Sequence, residues 1–332
     1  MSEKTGVVII GTGMAGLMAA QLLKQVEIPT ILVEKGSCVG GRLATRDVGQ
    51  GRADCGAQFF TARSSEFQLW VEQWQEEGLV FEWSRGWSDG SLGATPPDGH
   101  PRYAVQGGMR ALAEHLAKGL DVRLNTPIVK LAPRTKGWTV EDESGNQFQC
   151  EGVLCTAPLP QALELFESSG ITLTPHDQAT LRQIEYSPSL AGMFWIDGAV
   201  NLPPPGAVQR SNAAITWIAD NRRKGISPEA TIITVHAGPS YSRLLWDLPD
   251  RQVLIALDSG LQLYKDYRAL IVESHLERWR YSAPTSTHPE RCLALEGQPS
   301  LMLAGDGFGQ PRVEGAARSG MCAGASLVDL LG

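Results

Sequence analysis

The stretch VVIIGTGMAG, residues 7–16, carries the strongest structural signal in the 332-residue sequence. Its β-branched residues Val7–Ile10 predict a strand buried in a parallel sheet, and the apolar run Leu17–Leu23 predicts a covered helix. Between them, Gly11 permits a tight turn, Gly13 lets a pyrophosphate approach the backbone, and Gly16 lets helix and strand pack closely. A helix that begins at such a turn points free N–H groups at an anion, so the stretch predicts a dinucleotide site.

A second predicted strand, Thr30–Val33, completes a βαβ unit and ends at Glu34, 23 residues after Gly11. At this spacing a carboxylate accepts hydrogen bonds from the ribose hydroxyls of a dinucleotide, and it disfavours a 2′-phosphate on that ribose. The neighbouring residues that we assign to the same cofactor site are Met14, Ala15 and Lys35.

The segment Gly40-Gly41-Arg42 follows Glu34 after a short loop. Two glycines let the chain fold against a ligand, and an arginine neutralises a phosphate; the alternative for Arg42 is a surface side chain on a turn. With the glycine turn and Glu34, this segment resembles the FAD-binding stretch of the FAD-dependent amine-oxidase superfamily. The resemblance implies that Gly41 and Arg42 contact FAD, and it disfavours NAD, because nicotinamide dehydrogenases have no such segment at this position.

The carboxy-terminal end resembles the second flavin motif of the same superfamily. The resemblance implies that Asp306, after the predicted strand Leu301–Ala304, holds ribitol hydroxyls or phosphate-bound groups; a helix or turn cap is the alternative. Val129 lies where the superfamily recognises adenine through backbone groups, and a buried strand valine is the alternative. No cysteine occupies the position that some members use to bond flavin covalently, so FAD is expected to be non-covalent. The cofactor residues implied by the terminal motif are Gly305, Asp306, Gly315 and Ala316.

Four further segments are similar to bacterial members of the renalase family within that superfamily. They are Asp54–Arg63, Pro101–Met109, Trp217–Asn221 and Arg278–Tyr281. The resemblance implies a Rossmann-like FAD domain and a second domain on an antiparallel sheet. It also implies an activity: oxidation of 2- and 6-dihydronicotinamide isomers of NAD(P)H to NAD(P)+, with O2 reoxidising the flavin and releasing hydrogen peroxide.

The expected fold class is therefore α/β, with a Rossmann-like FAD-binding domain and an interleaved α+β substrate domain built on an antiparallel sheet. We expect the FAD-binding domain to comprise residues 1–62, 100–160 and 290–332. We expect the substrate domain to comprise residues 63–99 and 161–289. Additional predicted elements are the helices Met109–Leu116 and Glu314–Leu331 and the strands Val122–Leu131, Gly137–Glu141 and Gln147–Thr156.

Hydride transfer to a flavin requires no metal or nucleophile from the protein, but it requires a flat slot whose polar groups fix the substrate ring. Amide and imidazole groups, which both donate and accept, suit this task, and aromatic side chains suit the walls. The residues expected to line the flavin are Ala57, Gln58 and Phe59. The substrate-binding candidates are Gln58, Arg63, Tyr103, Trp217, Asn221, His236 and Trp279.

Each substrate candidate has a structural alternative. The tryptophans fit a core or a domain interface, His236 fits the end of a strand, and Arg63 fits a surface pair with Glu66. Asn221 fits a turn before the Arg-Arg-Lys run at 222–224, which is expected to be a solvated cationic patch able to meet a substrate phosphate. No lysine, including the one in that run, has the context of the lysine near flavin N5 in amine oxidases, which disfavours an amine substrate.

Composition and charge restrict the classes of partner and site that we expect for this protein. The net charge of −7 argues against nucleic acid. The charge-free stretch Thr5–Leu23 contains the glycine turn and lacks a full apolar span, so no membrane anchor is expected. The six cysteines form no CxxC or CxxxC pair, so zinc and dithiol sites are not expected, and the thiols are expected to be reduced in a cytoplasmic protein.

Three functions are compatible with the sequence. The first is the renalase-type oxidation of dihydronicotinamides with O2. The second is another reaction of the superfamily, either amine oxidation or desaturation of an isoprenoid or porphyrinogen. Long apolar substrates need a deep channel and usually a membrane-facing patch, which neither the acidic balance nor any basic amphipathic helix supports. The third is a flavin or nucleotide sensor without enzymatic activity.

Overall fold

The computed structural model describes residues 2–91, 99–298 and 300–331. The chain divides into two units. The first unit comprises Met1–Gly41, Ala113–Tyr186 and Ala283–Gly332, and the second comprises Arg42–Leu112 and Ser187–Ser282. These boundaries differ from the expected ones, because residues 42–62 and 100–112 lie in the second unit, and residues 161–186 and 283–289 lie in the first. The assignment of FAD and substrate binding to separate domains stays a prediction.

Strands and helices interleave along the whole of the described chain. From the start they are β1 (Ser2–Lys4), β2 (Val7–Ile10), α1 (Met14–Gln25), β3 (Thr30–Val33), β4 (Thr45–Val48), β5 (Gly51–Asp54), α2 (Ser65–Glu76), β6 (Val80–Ser84), β7 (Arg102–Val105) and α3 (Met109–Ala117). Next come β8 (Asp121–Arg123), β9 (Ile128–Pro133), β10 (Trp138–Asp142), β11 (Gln147–Cys150), β12 (Gly152–Cys155), α4 (Leu159–Ser168) and α5 (Pro175–Leu181). The last are β13 (Tyr186–Asp197), β14 (Ala207–Gln209), β15 (Ile215–Asp220), β16 (Ile232–Ala237), α6 (Pro239–Leu245), α7 (Asp250–Asp258), β17 (Leu270–Pro284), β18 (Leu293–Ala294), β19 (Leu301–Leu303) and α8 (Arg312–Leu331).

A six-stranded sheet in the order β18-β19-β12-β2-β3-β8 forms the centre of the first unit. All neighbours are parallel except β18 and β19. Ile10 is in register with Val33 on one side and with Cys155 on the other. The carboxyl ends of these strands therefore lie at one edge of the sheet, which is where ligands bind in open α/β sheets. The predicted strands Val7–Ile10 and Thr30–Val33 are confirmed.

Helices α1 and α8 pack on each other through glycines. A Cβ on Gly320 would lie 2.1 Å from the carbonyl oxygen of Ala15 in α1. Gly16 is needed for a different contact, with the turn before α1: a Cβ on it would lie 2.1 Å from the carbonyl oxygen of Gly11. Real Cβ atoms do not come this close to backbone, so both positions require glycine.

Two predicted strands are each divided between two sheets. The stretch Val122–Leu131 forms β8 in the parallel sheet and β9 in a four-stranded sheet ordered β1-β11-β10-β9. The chain bends between them at Asn125, whose φ is 51°. The stretch Gln147–Thr156 forms β11 and β12, and the chain turns where the backbone N–H groups of both Glu151 and Gly152 donate to one carbonyl, that of Gly6.

The second unit contains the expected antiparallel sheet, five strands in the order β14-β15-β16-β13-β17. Side chains alternate between its faces, as strand geometry requires. On β16, Ile233 and Val235 join the apolar core beside α7, whereas Ile232 packs on a separate cluster with Ala53. His236 lies on the same face of the sheet as Ile232, four residues further along the strand.

The cysteine prediction needs one correction. Cys292 and Cys322 form a disulfide whose Cα atoms are 6.1 Å apart, although the sequence predicted reduced thiols throughout. The two residues are 30 positions apart, so no short Cys motif announced the pairing. Burial raises the pKa of Cys55 to about 12 and that of Cys155 to about 11, so these thiols stay protonated at neutral pH. Among the described residues, no helix combines the length and apolarity needed to cross a bilayer.

Candidate functional site

The glycine turn after β2 leaves open space in front of α1. Gly13 is the N-cap of α1, and a Cβ placed on it would meet no heavy atom within 4 Å. In the described part of the chain, no side chain caps this helix. Gly11, at φ 106°, approaches Thr156 so closely that a Cβ would lie 2.6 Å from its hydroxyl oxygen. The first-turn N–H groups of α1 therefore face a cradle in which an anion fits.

Glu34 is tied to this turn by its carboxylate. Oε2 accepts hydrogen bonds from the backbone N–H of Thr12 at 3.1 Å and from the Thr12 hydroxyl at 2.9 Å. Oε1 accepts from the backbone N–H of Gly36 at 2.9 Å. Oε1 has capacity for a further donor, and the side chain is half-buried at the carboxyl end of β3. The neighbouring Lys35 is exposed.

The glycine pair after Glu34 folds against the first turn, and its predicted contact with a ligand stays a prediction. The backbone N–H of Gly40 donates to the carbonyl of Thr12 at 2.9 Å. Gly41 adopts φ 52°, and a Cβ on it would lie 3.7 Å from the Cα of Gly13. The two segments thus bound the same cradle.

The carboxy-terminal motif reaches the same edge of the sheet. Gly305, at φ 142°, donates its backbone N–H to the Ser319 hydroxyl at 2.8 Å, and a Cβ on it would lie 3.8 Å from the carbonyl oxygen of Thr156. Since Thr156 also faces Gly11, the two terminal motifs converge on one residue. Asp306 is buried, with 6% of its surface exposed. Early in α8, a Cβ on Gly315 would lie 1.8 Å from the Gln310 carbonyl, and Ala316 beside it is half-buried.

Val129 is 43% exposed in β9, so the alternative of a buried strand valine is wrong. β9 is an edge strand of its described sheet, and the backbone N–H of Leu131 donates to the Ser169 hydroxyl at 2.9 Å rather than to another strand. The role of Val129 in adenine recognition stays a prediction.

The other cofactor candidates lie in the second unit. The Arg42 guanidinium donates through Nη1 to the carbonyls of Tyr281 at 3.2 Å and Ser282 at 3.0 Å. The backbone N–H of Ala57 donates to the carbonyl of Arg42 at 2.9 Å. A Cβ on Gly56 would lie 2.1 Å from that carbonyl oxygen, which requires glycine there. Arg42 therefore anchors the chain just before the segment expected to line the flavin.

A fully buried ion pair, which the sequence did not predict, lies beneath this segment. Lys224 Nζ donates to Asp54 Oδ2 and to the carbonyl of Gln58, and the side chains of Lys224 and Asp54 are both 0% exposed. The other carboxylate oxygen accepts from the Thr45 hydroxyl at 2.6 Å and from the backbone N–H of Met109 at 2.8 Å, at the start of α3. Burial lowers the pKa of Lys224, and the charge of Asp54 opposes that shift. The prediction of a solvated patch is wrong for Lys224, although Arg222 and Arg223 are exposed.

Gln58 connects this ion pair to the sheet. Its Nε2 donates to the carbonyl of Asp54 at 2.7 Å and lies 3.2 Å from His236 Nε2. Its Oε1 accepts from the indole N–H of Trp217 at 3.2 Å. Trp217 and His236 are cross-strand neighbours on β15 and β16. The structure therefore brings three sequence-predicted site residues, Gln58, Trp217 and His236, into direct contact.

His236 is neutral in this environment. Burial, followed by the positive charge of Lys224, lowers the pKa of His236 to about 4. At pH 7 the imidazole therefore neither carries a charge nor acts as a strong base.

Four aromatic rings cluster beside Gln58, two of which the sequence did not single out. Phe59 lies 5.5 Å from Trp217 and 5.0 Å from Trp87 between ring centroids, and Trp83 lies 4.7 Å from Trp87. Trp87 Nε1 is buried, and none of the described residues offers it an acceptor. Only the abundance of tryptophan hinted at this cluster, because Trp83 and Trp87 stand in no motif.

The remaining candidates occupy structural positions. Asn221 is 0% exposed, accepts from the backbone N–H of Asp54, and donates to the Thr234 hydroxyl and the Ile232 carbonyl. These contacts match the alternative that Asn221 is a structural residue of the turn, and its predicted contact with substrate stays a prediction. Trp279 donates its indole N–H to the carbonyl of Cys55 at 2.8 Å.

Two more candidates belong to the segments around Phe60. Tyr103 in β7 exchanges backbone hydrogen bonds with Phe60, and their ring centroids are 5.6 Å apart. Arg63 is exposed just before α2. Neither side chain joins the contacts around Gln58 described above, and their substrate roles stay predictions.

The sequence matches two known families. The flavin containing amine oxidoreductase family matches residues 79–326, and the NAD(P)-binding Rossmann-like domain family matches residues 9–74. Renalase from Mus musculus is 23% identical over 330 residues, which cover 95% of this chain and 96% of that protein.

Two further similarities either cover a smaller part of the relative or have a lower sequence identity. Coproporphyrinogen III oxidase from Mycobacterium tuberculosis (strain ATCC 25618 / H37Rv) is 24% identical over 238 residues, which cover 68% of this chain and 51% of that protein. The solved structure of wild-type putrescine oxidase bound to putrescine matches with a TM-score of 0.67 at 14% identity, covering 99% of this chain and 100% of that one. At this identity the structural match supports the fold alone.

Proposed function

The chain belongs to the flavin-containing amine oxidoreductase family, and from that premise we propose that it is a renalase-type FAD oxidase of 2- or 6-dihydronicotinamide isomers of NAD(P)H. Membership makes it an FAD-dependent oxidoreductase. The identity of the substrate is the proposed part.

The residues of the first unit fit FAD. The space in front of Gly13 accommodates a pyrophosphate at the N-terminus of α1. Glu34 would hold the ribose hydroxyls, and Asp306 would hold the ribitol chain. When bound, FAD supplies the hydride acceptor, and O2 reoxidises it with release of hydrogen peroxide.

The neutral network around Gln58 is the observation that favours a dihydronicotinamide. The Asp54 carboxylate is balanced by Lys224, and His236 is uncharged. A cationic amine would find no unbalanced carboxylate among these groups, whereas a carboxamide needs neutral donors and acceptors. A dihydropyridine gives up hydride without prior deprotonation, so a site without a strong base suffices. Aromatic surface from Phe59 and Trp217 would bound the planar ring.

The second candidate function is another reaction of the family, oxidation of an amine or of a porphyrinogen. Its support is membership of the family and the similarity to coproporphyrinogen III oxidase. The sequence match to coproporphyrinogen III oxidase spans about half of that protein, 51%.

Anaerobic mixing of the purified holoprotein separates these functions. We expect 6-dihydro-NAD to bleach the flavin absorbance rapidly, and 4-dihydro-NAD and putrescine to leave it oxidised. Admitting O2 should restore the absorbance and yield hydrogen peroxide. Bleaching by the amine alone would favour the second candidate, and a flavin that none of these compounds reduces would overturn the proposed substrate.

Replacement of Glu34 by alanine tests the ribose assignment. We expect weaker FAD retention, with a loss of about 1.5–3 kcal/mol of binding free energy, because the ribose hydroxyls lose a charged acceptor. Equilibrium dialysis against free FAD measures the affinity. The matched control is Glu164→Ala, which removes a carboxylate from an exposed position of α4 outside the assigned cofactor site. Equal FAD affinity in the Glu34 variant and the parent would contradict the assignment.

A further inference from the structure

The orientation of the Gln58 side-chain amide is determined by its partners. An indole N–H can only donate, so the atom 3.2 Å from Trp217 Nε1 must be the amide oxygen. A backbone carbonyl can only accept, so the atom 2.7 Å from the carbonyl of Asp54 must be the amide nitrogen. A flipped amide would oppose donor to donor at one end and acceptor to acceptor at the other. The NH2 group of Gln58 therefore faces His236.

This orientation selects one tautomer of His236. A protonated Nε2 would direct its hydrogen at the Gln58 amide nitrogen 3.2 Å away, which accepts no hydrogen bond. The same NH2 group also donates to the carbonyls of Asp54 at 2.7 Å and Gly56 at 3.2 Å, so it presents only donor hydrogens to its surroundings. Nε2 is therefore the nitrogen without a proton, and the single proton of the neutral ring lies on Nδ1. The charged groups around the ring keep it neutral, because Lys224 disfavours an imidazolium and Asp54 is already paired with Lys224.

The Nδ1 side of the ring is available to a ligand. Among the residues that the structure describes, none forms a hydrogen bond with His236 Nδ1. Nδ1 is also not among the buried side-chain nitrogen and oxygen atoms that lack a partner, so part of its surface is accessible. The side chain is half-buried on the same sheet face as Trp217, its cross-strand neighbour. Trp217 in turn contacts Phe59 at 5.5 Å between ring centroids. The N–H of Nδ1 thus lies on the face that carries this aromatic surface.

We propose that Gln58 holds His236 as the Nδ1–H tautomer, and that this N–H is the fixed donor to the carboxamide oxygen of a dihydronicotinamide. The substrate half of the proposal rests on the proposed function, whereas the tautomer does not. Gln58 is then a positioning residue that acts through His236, and Trp217 and the Asp54 carbonyl in turn orient Gln58.

Nuclear magnetic resonance on the holoprotein with 15N-labelled histidine rings tests the tautomer. The His236 signals are identified by their absence from the His236→Asn variant. We expect a protonated Nδ1 and an unprotonated Nε2, unchanged between pH 6 and pH 8. A protonated Nε2, or an imidazolium at pH 6, would overturn the tautomer whether or not the protein oxidises any dihydronicotinamide.

Two substitutions test the donor. The amide nitrogen of His236→Asn can occupy the position of Nδ1, whereas that of His236→Gln can occupy the position of Nε2. We expect kcat/KM for the 6-dihydro isomer to be about 10- to 100-fold lower in the Gln variant than in the Asn variant. Thermal unfolding of both variants checks that they fold alike. An equal loss of kcat/KM in the two variants would show that Nδ1 is not the donor to the substrate. If the parent protein oxidises no dihydronicotinamide, both the donor role and the proposed function are wrong. The tautomer is then still tested by the 15N signals of the His236 ring.

Discussion

Replacement of Lys224 by methionine is expected to lower the free energy of unfolding by about 3–5 kcal/mol. The substitution leaves the Asp54 carboxylate wholly buried without its cation, and it also removes a donor from the carbonyl of Gln58. The Lys224 ammonium lies 4.9 Å above the Trp83 ring, and that cation–π contact is lost as well. Denaturant unfolding of the holoprotein measures the change.

Two companion variants make this prediction specific. Arg222→Met, at an exposed position two residues earlier, should change the free energy of unfolding by no more than about 0.5 kcal/mol. The double variant Asp54→Asn with Lys224→Met removes both charges and should recover a substantial part of the loss. If Lys224→Met were as stable as Arg222→Met, the buried ion pair would not exist in solution.

Two glycine substitutions in the first turn are expected to have opposite consequences. Gly16→Ala should cost about 3 kcal/mol or more in stability, because its Cβ would lie 2.1 Å from the carbonyl oxygen of Gly11. Gly13→Ala should leave the stability of the apoprotein within about 1 kcal/mol of the parent, because φ is −72° and the Cβ meets no atom within 4 Å. The same Cβ would occupy the space that we propose for the FAD pyrophosphate.

We therefore expect Gly13→Ala to weaken FAD binding at least tenfold, about 1.4 kcal/mol. Unfolding of the apoprotein and FAD titration followed by flavin fluorescence separate the two effects. A Gly13→Ala variant that binds FAD as tightly as the parent would refute the position assigned to the pyrophosphate.

The βαβ unit at the start of the first unit could be predicted because its signals are local. A strand, a glycine turn and the strand-end Glu34 occur within one βαβ unit, and backbone geometry determines how they assemble. Where the prediction was wrong, as in the strand Val122–Leu131, both halves are individually strand-like. Asn125, whose φ is 51°, turns the chain from one sheet to another.

The centre of the second unit could not be predicted in the same way. Lys224 is 170 residues from Asp54, and His236 is 178 residues from Gln58. Next to two arginines, Lys224 has the local pattern of a solvated cation. Its burial depends on a carboxylate that only the packing of the sheet against the Asp54 segment supplies.

The amino-acid order alone predicted the glycine turn, its strand-end carboxylate and the family, because glycines and one carboxylate at short spacing specify a backbone shape without help from distant residues. Tertiary structure alone decided which polar groups are charged, which are neutral and which tautomer His236 adopts. Those properties depend on desolvation and on partners far away in the chain, and neither is encoded in a local pattern.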